Sequence, residues 1–497
     1  MTDNAPESRS AMPSAGRLPE PVRGPTRARS LSGVLGLTAL GTALPGSAFW
    51  VLRRRLLGAC VLGAFALLVA TLAYVLVAQR PRLLRMLVQQ QWLTATIVAL
   101  SLVFVCWAGV VVASDRLARP REFGRQQRVA ATAFTAFICV ALAVPFVVGI
   151  RYASAQRAFI GDVFTSLGQS SSATRPVVTD VNDPWLGEDR VNVLLLGGDA
   201  GSNRFGTRTD SMIVASIDVR SGDTVLFGLP RNLENVPFPA GTRLHELYPN
   251  GFDGPGDPLN WMLNAVYEKV PELHPEVLGA SDNEGADALK VAVSGALGIR
   301  VDYYVLVSIP GFVELIDAMG GVTVNINQPI PIGGAEGSRE PEGYLQPGPA
   351  QQLDGFDAMW FARGRYGLDD YDRMRRQRCL VDAVIDRADP VTLLTRYRRI
   401  LQAGRDIVRT DIPAELLPAF VDLAFAAKGG TVRSVVFSRS NTFLPEDPDF
   451  EWMQRVVARA TGDPGSGGGG GGGGRGGGGL TSIIDSAESS CAYRPVG

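Results

Sequence analysis

The sequence predicts an α/β domain of three layers, with a mixed central sheet flanked by helices, preceded by three transmembrane helices. Three long apolar runs in the first third of the chain predict the membrane part. Further along, short apolar runs typical of buried strands alternate with segments of helical periodicity, a pattern typical of an α/β fold. At 497 residues, the chain is long enough for two or three domains.

The three apolar runs cover residues 56–78, 93–114 and 129–150. Each exceeds the roughly 20 residues that a helix needs to cross about 30 Å of hydrocarbon. A buried core helix could account for one such run, but it is a weak explanation for three in succession. We therefore predict a multi-pass membrane domain over residues 53–150.

Arginine placement predicts the orientation of these helices, because basic residues are enriched on the cytoplasmic side. Arginines occupy residues 53–55, before the first run, and recur between residues 116 and 128, between the second and third. The arginine-rich N-terminal tail is then cytoplasmic, and everything after Ile150 is extracytoplasmic. We expect no cleavable signal peptide, because the apolar runs lie too deep in the chain. On this topology the loop between the first and second runs faces outward. It carries three arginines, which oppose the enrichment of basic residues on the cytoplasmic side: Arg80, Arg82 and Arg85.

Changes in composition along the sequence divide the chain into parts. Residues 31–52 are apolar but interrupted by Gly, Ser and Pro45. We interpret this segment as re-entrant or interfacial, because a full crossing would place the basic tail outside. The predicted parts are a tail with this apolar segment (1–52), the membrane domain (53–150), a polar spacer (151–187), an α/β domain (188–462), a Gly-rich linker (463–479) and a C-terminal tail (480–497).

Strands and helices alternate in the outer part. Apolar runs flanked by turn residues predict strands, and longer periodic segments predict helices. The predicted strands are residues 191–199, 211–219, 223–230, 301–309 and 321–326. The predicted helices are the latter half of 274–298, and residues 311–320, 370–388 and 391–408.

Charge is unevenly distributed along the chain. Residues 1–157 contain 18 Lys and Arg against 5 Asp and Glu, whereas the rest contains 30 against 44. Six arginines nevertheless lie within residues 361–378 of the acidic part. A general attraction to polyanions does not explain them, so we expect a local anionic ligand and no nucleic-acid partner.

Several kinds of active site are excluded by residue types. The chain has only two histidines, His245 and His274, so a histidine-based triad or zinc site is improbable. No Walker A sequence occurs, and GGDAG at residues 197–201 lacks the spacing of a dinucleotide-binding loop. Aspartates and arginines near strand ends remain as candidates.

Two aspartates flank the first strand–loop–strand connection. Asp199 ends one predicted strand, Asp210 begins the next, and Arg208 lies between them. Hard carboxylates brought together in this way suit Mg²⁺, which takes oxygen ligands. Arg208 beside them would bind a phosphate with two hydrogen bonds. A solvated, Asp-rich loop is the alternative.

Further arginines follow later strands and the last predicted helix. Arg231 comes just past the third strand, where it could equally be an exposed structural arginine. Arg363 and Arg365 alternate along a segment that we predict to be extended, so both would point to one face. Asp370 falls near the start of the next helix, where it could cap that helix or take part in catalysis.

The helix predicted over residues 370–388 carries the rest of the arginine cluster. Arg373, Arg376 and Gln377 share one face at spacings of three and four residues. Arg375 and Arg378 fall off that face, and we expect them to be solvated. So many convergent guanidinium groups exceed what salt bridges require and fit a doubly phosphorylated ligand.

The five cysteines agree with the predicted topology. Cys60, Cys106 and Cys139 lie inside the apolar runs, where a thiol behaves as a small apolar group. Cys379 and Cys491 are both extracytoplasmic on this topology. Two cysteines in an oxidising compartment suggest one disulfide, with two free thiols as the alternative.

These residues together resemble the LytR-CpsA-Psr family of cell-wall glycopolymer ligases, in its actinobacterial branch. The resemblance covers roughly residues 188–460. Its motifs stand in the expected order: LLLGGDAG…RTDS, LPRNL, LNAVY, DYYVLVSIPGFVELIDAMGGV and LDGFDAMWFARGR…DDYDRMRRQR. Two positions depart from the family pattern, because Asn232 stands where many members have Asp and Met262 where many have Lys.

The resemblance implies a membrane-anchored phosphotransferase that moves a glycan from a polyprenyl diphosphate to a peptidoglycan hydroxyl. It implies that Asp199 and Asp210 hold Mg²⁺, that Gln377 supports diphosphate binding, and that Asp370 orients Arg373 or the acceptor. Its implied partners are the lipid-linked glycan, peptidoglycan and membrane lipid, with an apolar tunnel for the prenyl chain. The implied diphosphate-binding arginines are Arg208, Arg231, Arg363, Arg365 and Arg373.

Two other functions fit the same residues. One is a non-catalytic regulator of envelope assembly that binds a lipid diphosphate, and the other is a diphosphatase that uses water instead of a sugar hydroxyl. Arabinogalactan is one candidate glycan, beside teichoic-acid-like and capsular polymers.

Overall fold

The computed structural model describes residues 30–181, 183–198, 209–335, 337–387, 408–437, 439, 443–462, 484–486 and 491–495. Within these ranges, it describes the side chains of all residues except 80, 81, 210, 370, 371 and 484–486. The chain divides into two compact units, one within Met1–Val77 and Ala99–Val148, the other within Ala78–Val98 and Gly149–Gly497.

The N-terminal part of the chain is helical. Its helices are α1 (Leu31–Ala43), α2 (Ser47–Val51), α3 (Arg55–Ala78), α4 (Arg80–Leu87), α5 (Gln90–Ala118) and α6 (Arg125–Val163). Three of them, α3, α5 and α6, are long and apolar enough to cross a membrane. The prediction of three candidate transmembrane helices is therefore confirmed. Helix α6 continues past the predicted end of the third span, so the first part of the expected spacer is helical.

The segment before the first span forms two short helices. Helix α1 has 13 residues, about 20 Å at 1.5 Å per residue, which is too short to cross the hydrocarbon. It packs on α5, where Trp107 Nε1 donates a hydrogen bond to the Thr42 carbonyl oxygen at 3.2 Å. Gly41 permits this approach, because a Cβ there would lie 3.1 Å from Ser114 Oγ. These lengths fit a re-entrant or interfacial segment, an interpretation that stays a prediction.

The second unit, named the outer unit below because it is predicted to be extracytoplasmic, contains the remaining elements. Its strands are β1 (Arg190–Gly198), β2 (Thr209–Asp218), β3 (Thr224–Leu229), β4 (Tyr303–Ser308), β5 (Val322–Ile326), β6 (Ile330–Ala335), β7 (Arg339–Leu345), β8 (Gly348–Leu353), β9 (Val408–Thr410), β10 (Val432–Val436) and β11 (Ile484–Ser486). Its helices are α7 (Arg243–Leu247), α8 (Val266–Leu273), α9 (Glu284–Leu297), α10 (Ile309–Met319), α11 (Gly355–Arg363), α12 (Asp370–Arg387), α13 (Leu417–Gly429) and α14 (Phe450–Thr461).

Among the described residues, seven strands form the central sheet in the order β11-β10-β3-β2-β1-β4-β9. β1 pairs antiparallel with β2 and parallel with β4, so the sheet is mixed, as predicted. Two small antiparallel pairs, β5–β8 and β6–β7, stand apart from it. The last predicted helix, over 391–408, falls almost wholly outside the described residues.

Alternation along the strands builds the three predicted layers. Leu194 and Leu196 of β1 join the main core with helices α8, α9 and α14. The intervening Leu195 faces the opposite side, where β2 and β3 residues pack beside Val381 of α12. Successive side chains of a strand point to opposite faces of a sheet, so β1 supplies both layers. The three-layer prediction is confirmed.

The segments adjoining the membrane-spanning helices belong to the core of the outer unit. Leu93 of α5 and Ile160 of α6 are buried in a cluster with Tyr303 of β4. Arg85 of α4, one of the arginines that oppose the positive-inside tendency, forms an ion pair with Asp422 of α13 at 2.9 Å. The segment between α3 and α5 therefore has an acidic partner within its own unit.

A buried ionic network joins the spacer to α9. Lys290 is fully buried and lies 2.5 Å from Asp411 and 3.6 Å from Asp287. Asp287 also accepts hydrogen bonds from Ser172 Oγ and Thr174 Oγ1 of the spacer at 2.8 and 2.5 Å. Burial alone would raise the pKa of Asp287, but Lys290 and the surrounding hydroxyl groups hold it below its ordinary value. A carboxylate whose pKa is depressed by folding stabilises the fold at neutral pH, and this contribution is lost as the pH falls.

We predict that Lys290→Met destabilises the outer unit severely, because it leaves two buried carboxylates without their cation. The expected loss is about 3–5 kcal/mol, which lowers Tm by on the order of 10 °C. The measurement is thermal unfolding of the purified full chain in detergent at neutral pH.

Arg220→Ala is the matched control. Arg220 pairs with Asp189, but the two side chains are 83% and 80% exposed, so removing this pair costs less than about 1 kcal/mol. Equal Tm values for the two variants would contradict a stabilising role of the buried network.

Candidate functional site

A pocket of about 490 Å³ lies between the central sheet and helices α10, α11 and α12. Strand residues that face away from the main core line the pocket, such as Leu195 of β1 and Ile213 of β2. Helix α12 covers it and supplies residues along most of its own length, from Arg373 to Ile385. At 1.5 Å per residue, these two positions lie roughly 18 Å apart along the helix. The pocket is therefore elongated.

One end of the pocket is apolar. On α12 it is lined by Leu380, Val381, Val384 and Ile385, whose spacing places them on one helix face. Strands and α10 add further apolar lining residues to the pocket: Leu195, Ile213, Val305, Phe312, Leu315 and Ile316. An apolar channel of this kind suits a hydrocarbon chain.

The other end carries the cations that the sequence analysis singled out. Arg373 is only 5% exposed, Arg231 and Arg363 are partly buried, and Arg365 is exposed. All four, together with Gln377, line the pocket. The structure therefore brings these five predicted residues to one site. Electrostatic attraction between their positive charges and an anion is stronger in a partly buried site than in bulk water.

Arg363 reaches the pocket from a helix, so the predicted extended conformation is wrong for Arg363. The residue ends α11, which begins after Asp354, whose side chain accepts a hydrogen bond from the Asp357 N–H group. The apolar side of α11 is buried through Phe361. The helix ends at Gly364, where a Cβ would lie 2.5 Å from the Pro331 carbonyl oxygen. Burial of one side of α11 favours a helix over the extended conformation that the local alternation predicted.

Arg376 holds the end of α11 in place. Its guanidinium donates hydrogen bonds to the carbonyl oxygens of Phe361 and Gly364, and its Nε lies 3.0 Å from Asp372 Oδ2. Arg376 is also absent from the residues that line the pocket, unlike Arg373 and Gln377. Its role is to position α11 and the segment after it.

The other predictions for α12 have mixed outcomes. Gln377 lines the pocket and donates from Nε2 to the Ala362 carbonyl oxygen at 3.2 Å. Arg375 is exposed, as expected, and pairs with Asp372 at 3.1 Å. Arg378 is 4% exposed, so its predicted solvation is wrong. Helix α12 packs against β5 as well as against the sheet, so it is covered on more than the pocket side.

The predicted metal ligands stay predictions. Asp199 and Arg208 lie outside the described residues, and only the backbones of Asp210 and Asp370 are described. The β1–β2 ladder places Gly198 opposite Thr209, so the two ends of the intervening segment are neighbours. No group of three or more acidic, histidine or cysteine residues suited to a metal ion occurs in the described part of the chain.

Cys379 of α12 and Cys491 of the C-terminal tail form a disulfide, with Cα atoms 5.5 Å apart. The tail also bonds to the end of β5 and the residues after it. Asn325 Nδ2 donates to the Cys491 carbonyl oxygen at 2.9 Å, and the Arg494 N–H group donates to Asn327 Oδ1 at 2.7 Å. The tail is thus bound to the helix that carries Arg373.

Several pocket residues were not identified from the sequence. They include Ser211, Trp360 and Tyr366, and two glycines of the β6–β7 hairpin, Gly333 and Gly334. The apolar face of α12 could have been found from its helical spacing. The hairpin could not, because its strands contain charged residues and glycines instead of an alternating apolar pattern.

Comparisons with known proteins agree on one family. Biofilm regulatory protein A of Streptococcus mutans is 26% identical over 254 residues, which are 50% of this chain and 56% of that protein. The teichoic acid transferase TagU of Oceanobacillus iheyensis is 28% identical over 48% of this chain and 64% of its own length. The chain thus spans less than two thirds of either relative. Probable cell wall biosynthesis protein LcpB of Corynebacterium glutamicum is 24% identical over 66% of this chain and 69% of that protein.

Solved structures show a more distant likeness. Protein gbs0355 of Streptococcus agalactiae is 21% identical with a TM-score of 0.42, covering 59% of this chain and 90% of that one. The LytR-Csp2A-Psr enzyme of Actinomyces oris is 17% identical with a TM-score of 0.38, covering 60% and 96%. A likeness at this level carries no functional argument.

The family assignment follows from the match of residues 165–444 to the model of the LytR_cpsA_psr family. That match takes in more than half of the chain and contains the pocket-lining arginines. The chain belongs to the LytR_cpsA_psr family.

Proposed function

We propose that this chain is a membrane-anchored phosphotransferase that moves a glycopolymer from a polyprenyl diphosphate to a peptidoglycan hydroxyl, forming a phosphodiester. The observation that carries this proposal is the division of one pocket into an apolar end and an arginine-rich end. A polyprenyl diphosphate has the same division, with a hydrocarbon chain attached to two anionic phosphates.

The match between pocket and ligand sets the orientation of the substrate. The prenyl chain lies along the apolar face of α12, and the diphosphate lies near Arg373, Arg363 and Arg231. The glycan, which is attached to the far phosphate, extends from the charged end toward solvent. Arginine suits this role because its planar guanidinium donates paired hydrogen bonds to phosphate oxygens.

The reaction is a displacement at the phosphorus that carries the glycan. The acceptor oxygen bonds to this phosphorus and loses its proton, and the bond to the bridging oxygen breaks, which releases polyprenyl phosphate. Phosphoryl transfer depends chiefly on alignment and on stabilisation of charge. The arginines supply both, since they fix the diphosphate and neutralise the charge that develops on the leaving phosphate. No nucleotide is needed, because the diphosphate bond is already activated.

Asp199 and Asp210 are the proposed ligands of Mg²⁺. Their carboxylates are hard oxygen ligands of the kind that Mg²⁺ takes, and they adjoin Gly198 and Thr209, which pair across the β1–β2 ladder. When bound there, the ion supplies further positive charge at the diphosphate. Asp370, at the start of α12, is the proposed residue that orients Arg373 or the acceptor.

The names of relatives support a cell-wall polymer as the substrate class, but they do not identify the glycan. The relative in Oceanobacillus iheyensis is named a polyisoprenyl-teichoic acid–peptidoglycan teichoic acid transferase. A relative in Corynebacterium glutamicum, 26% identical, is named cell wall biosynthesis protein LcpA. We propose a cell-wall glycopolymer as the cargo, with arabinogalactan as one candidate. The outer unit is proposed to be extracytoplasmic, where peptidoglycan lies, with the N-terminus in the cytoplasm.

We predict that Arg373→Ala lowers glycan transfer by roughly 10- to 100-fold, the effect of losing charged hydrogen bonds worth about 1.5–3 kcal/mol. The measurement is transfer of labelled glycan from polyprenyl diphosphate to peptidoglycan by the purified full chain with Mg²⁺. Arg375→Ala is the matched control, because Arg375 lies on the same helix but is exposed and outside the pocket. Equal activity of the two variants would argue against the proposed diphosphate site.

We predict that Asp199→Asn and Asp210→Asn each abolish transfer, because a neutral amide is a far weaker ligand for Mg²⁺ than a carboxylate. The measurement is the transfer rate as a function of Mg²⁺ concentration. Samples treated with a chelator give the rate without Mg²⁺. Asp189→Asn, an exposed position before β1, should behave as the unmodified chain. A chelator-treated chain that transfers glycan at the full rate would refute the metal requirement.

Product analysis separates this function from its two rivals. Transfer to peptidoglycan supports the phosphotransferase. Release of glycan phosphate into water at the same rate with and without peptidoglycan identifies a diphosphatase. Lipid binding without any turnover identifies a regulator.

A further inference from the structure

We propose that Tyr366 and Glu340 form a sugar-binding subsite at the exposed rim of the pocket, for the sugar next to the diphosphate. This inference rests on the proposed function and adds the element that recognises the glycan. Its ligand class is a neutral pyranose or furanose attached to a phosphate.

The two side chains come from different elements, and Glu340 adjoins the pocket through its hydrogen bond to Tyr366. Tyr366 lies just after α11, and its ring lines the pocket. Its hydroxyl group donates a hydrogen bond to Glu340 Oε1 of β7 at 2.8 Å. Glu340 is exposed and Tyr366 is partly exposed, so the pair lies where the pocket meets solvent.

The β6–β7 hairpin is shaped to receive the tyrosine ring. Gly333 and Gly334 have φ values of +73° and +84°, a region that side-chain-bearing residues rarely adopt. A Cβ on Gly334 would lie 3.1 Å from Tyr366 Cδ2 and 3.1 Å from Pro341 Cγ. The glycine therefore lets the ring lie against the hairpin backbone, which fixes one side of the ring.

The position along the pocket identifies which part of the substrate arrives there. Tyr366 follows Arg365 directly and lies at the charged end, whereas the apolar residues of α12 line the other end. A prenyl diphosphate bound by the arginines has its hydrocarbon at the apolar end. Its glycan must then leave across the exposed rim, because a sugar would lose its hydration in the apolar part without gaining hydrogen bonds.

The chemistry of the pair fits a sugar better than another anion. A tyrosine ring is a flat apolar surface with a polar tip, and it can pack on the C–H face of a sugar ring. The Glu340 carboxylate has about four acceptor sites, of which the tyrosine hydroxyl uses one, so sugar hydroxyl groups can donate to the others. A negatively charged carboxylate at this point would repel a further phosphate.

The test compares two ligands that differ only in the sugar. Purified full chain in nanodiscs is titrated with polyprenyl diphosphate and with the same lipid diphosphate carrying one sugar. For Tyr366→Ala we expect at least about tenfold weaker binding of the glycosylated lipid, equivalent to ~1.4 kcal/mol, and binding of the bare lipid within about twofold of the unmodified chain. Glu340→Gln should show the same selectivity with a smaller loss.

Two further variants serve as controls. Tyr344→Ala removes a 45% exposed tyrosine of the same hairpin that lies outside the pocket, so it should leave both affinities unchanged. Arg373→Ala should weaken both ligands alike, because it contacts the shared diphosphate.

The outcomes distinguish this inference from the proposed function. Equal weakening of both ligands by Tyr366→Ala, or no weakening of either, overturns the sugar subsite while leaving lipid-diphosphate binding intact. Failure of the unmodified chain to bind either ligand overturns the proposed function instead.

Discussion

The guanidinium of Arg376 joins the two helices that build the charged end of the pocket. By donating to carbonyl oxygens at the end of α11, it fixes where Arg363 ends that helix and where Arg365 and Tyr366 follow. A backbone end that is held by a buried charge cannot shift without exposing unpaired carbonyl oxygens. The arrangement of the pocket-lining arginines therefore depends on an arginine that does not itself line the pocket.

Strands of the central sheet contribute to both the main core and the pocket. One face of β1 and β2 closes the main core against α9, and the other face lines the pocket together with residues of β4. A cavity lined by a packed sheet keeps its shape, because the strands cannot move without disturbing the core behind them. The buried network of Lys290, Asp287 and Asp411 ties the spacer after α6 into this unit. The segments that adjoin the membrane-spanning helices are thus part of the domain that holds the pocket.

The fold class, the three candidate spans and the pocket-lining arginines could be predicted from sequence, because apolar periodicity and clustered arginines are local signals. The outcomes on α12 show where local signals fail. Helical spacing correctly placed Arg373 and Gln377 on one face, but it could not reveal that Arg376 donates to backbone oxygens or that Arg378 is buried. Those outcomes depend on contacts between distant segments, as does the hairpin that packs on Tyr366. The departure of Arg363 from the predicted extended segment has the same origin, since burial of Phe361 favours a helix over local alternation.

The central claim is that one pocket holds the prenyl chain beneath α12 and the diphosphate beside the arginines. Photo-crosslinking with a polyprenyl diphosphate that carries a photoreactive group in its prenyl chain tests it most directly, with labelled peptides mapped by mass spectrometry. We expect labelling centred on residues 380–385 of α12 and on Leu315 of α10, suppressed by excess unlabelled lipid diphosphate. Labelling confined to the membrane-spanning helices, or unaffected by the competitor, would contradict it.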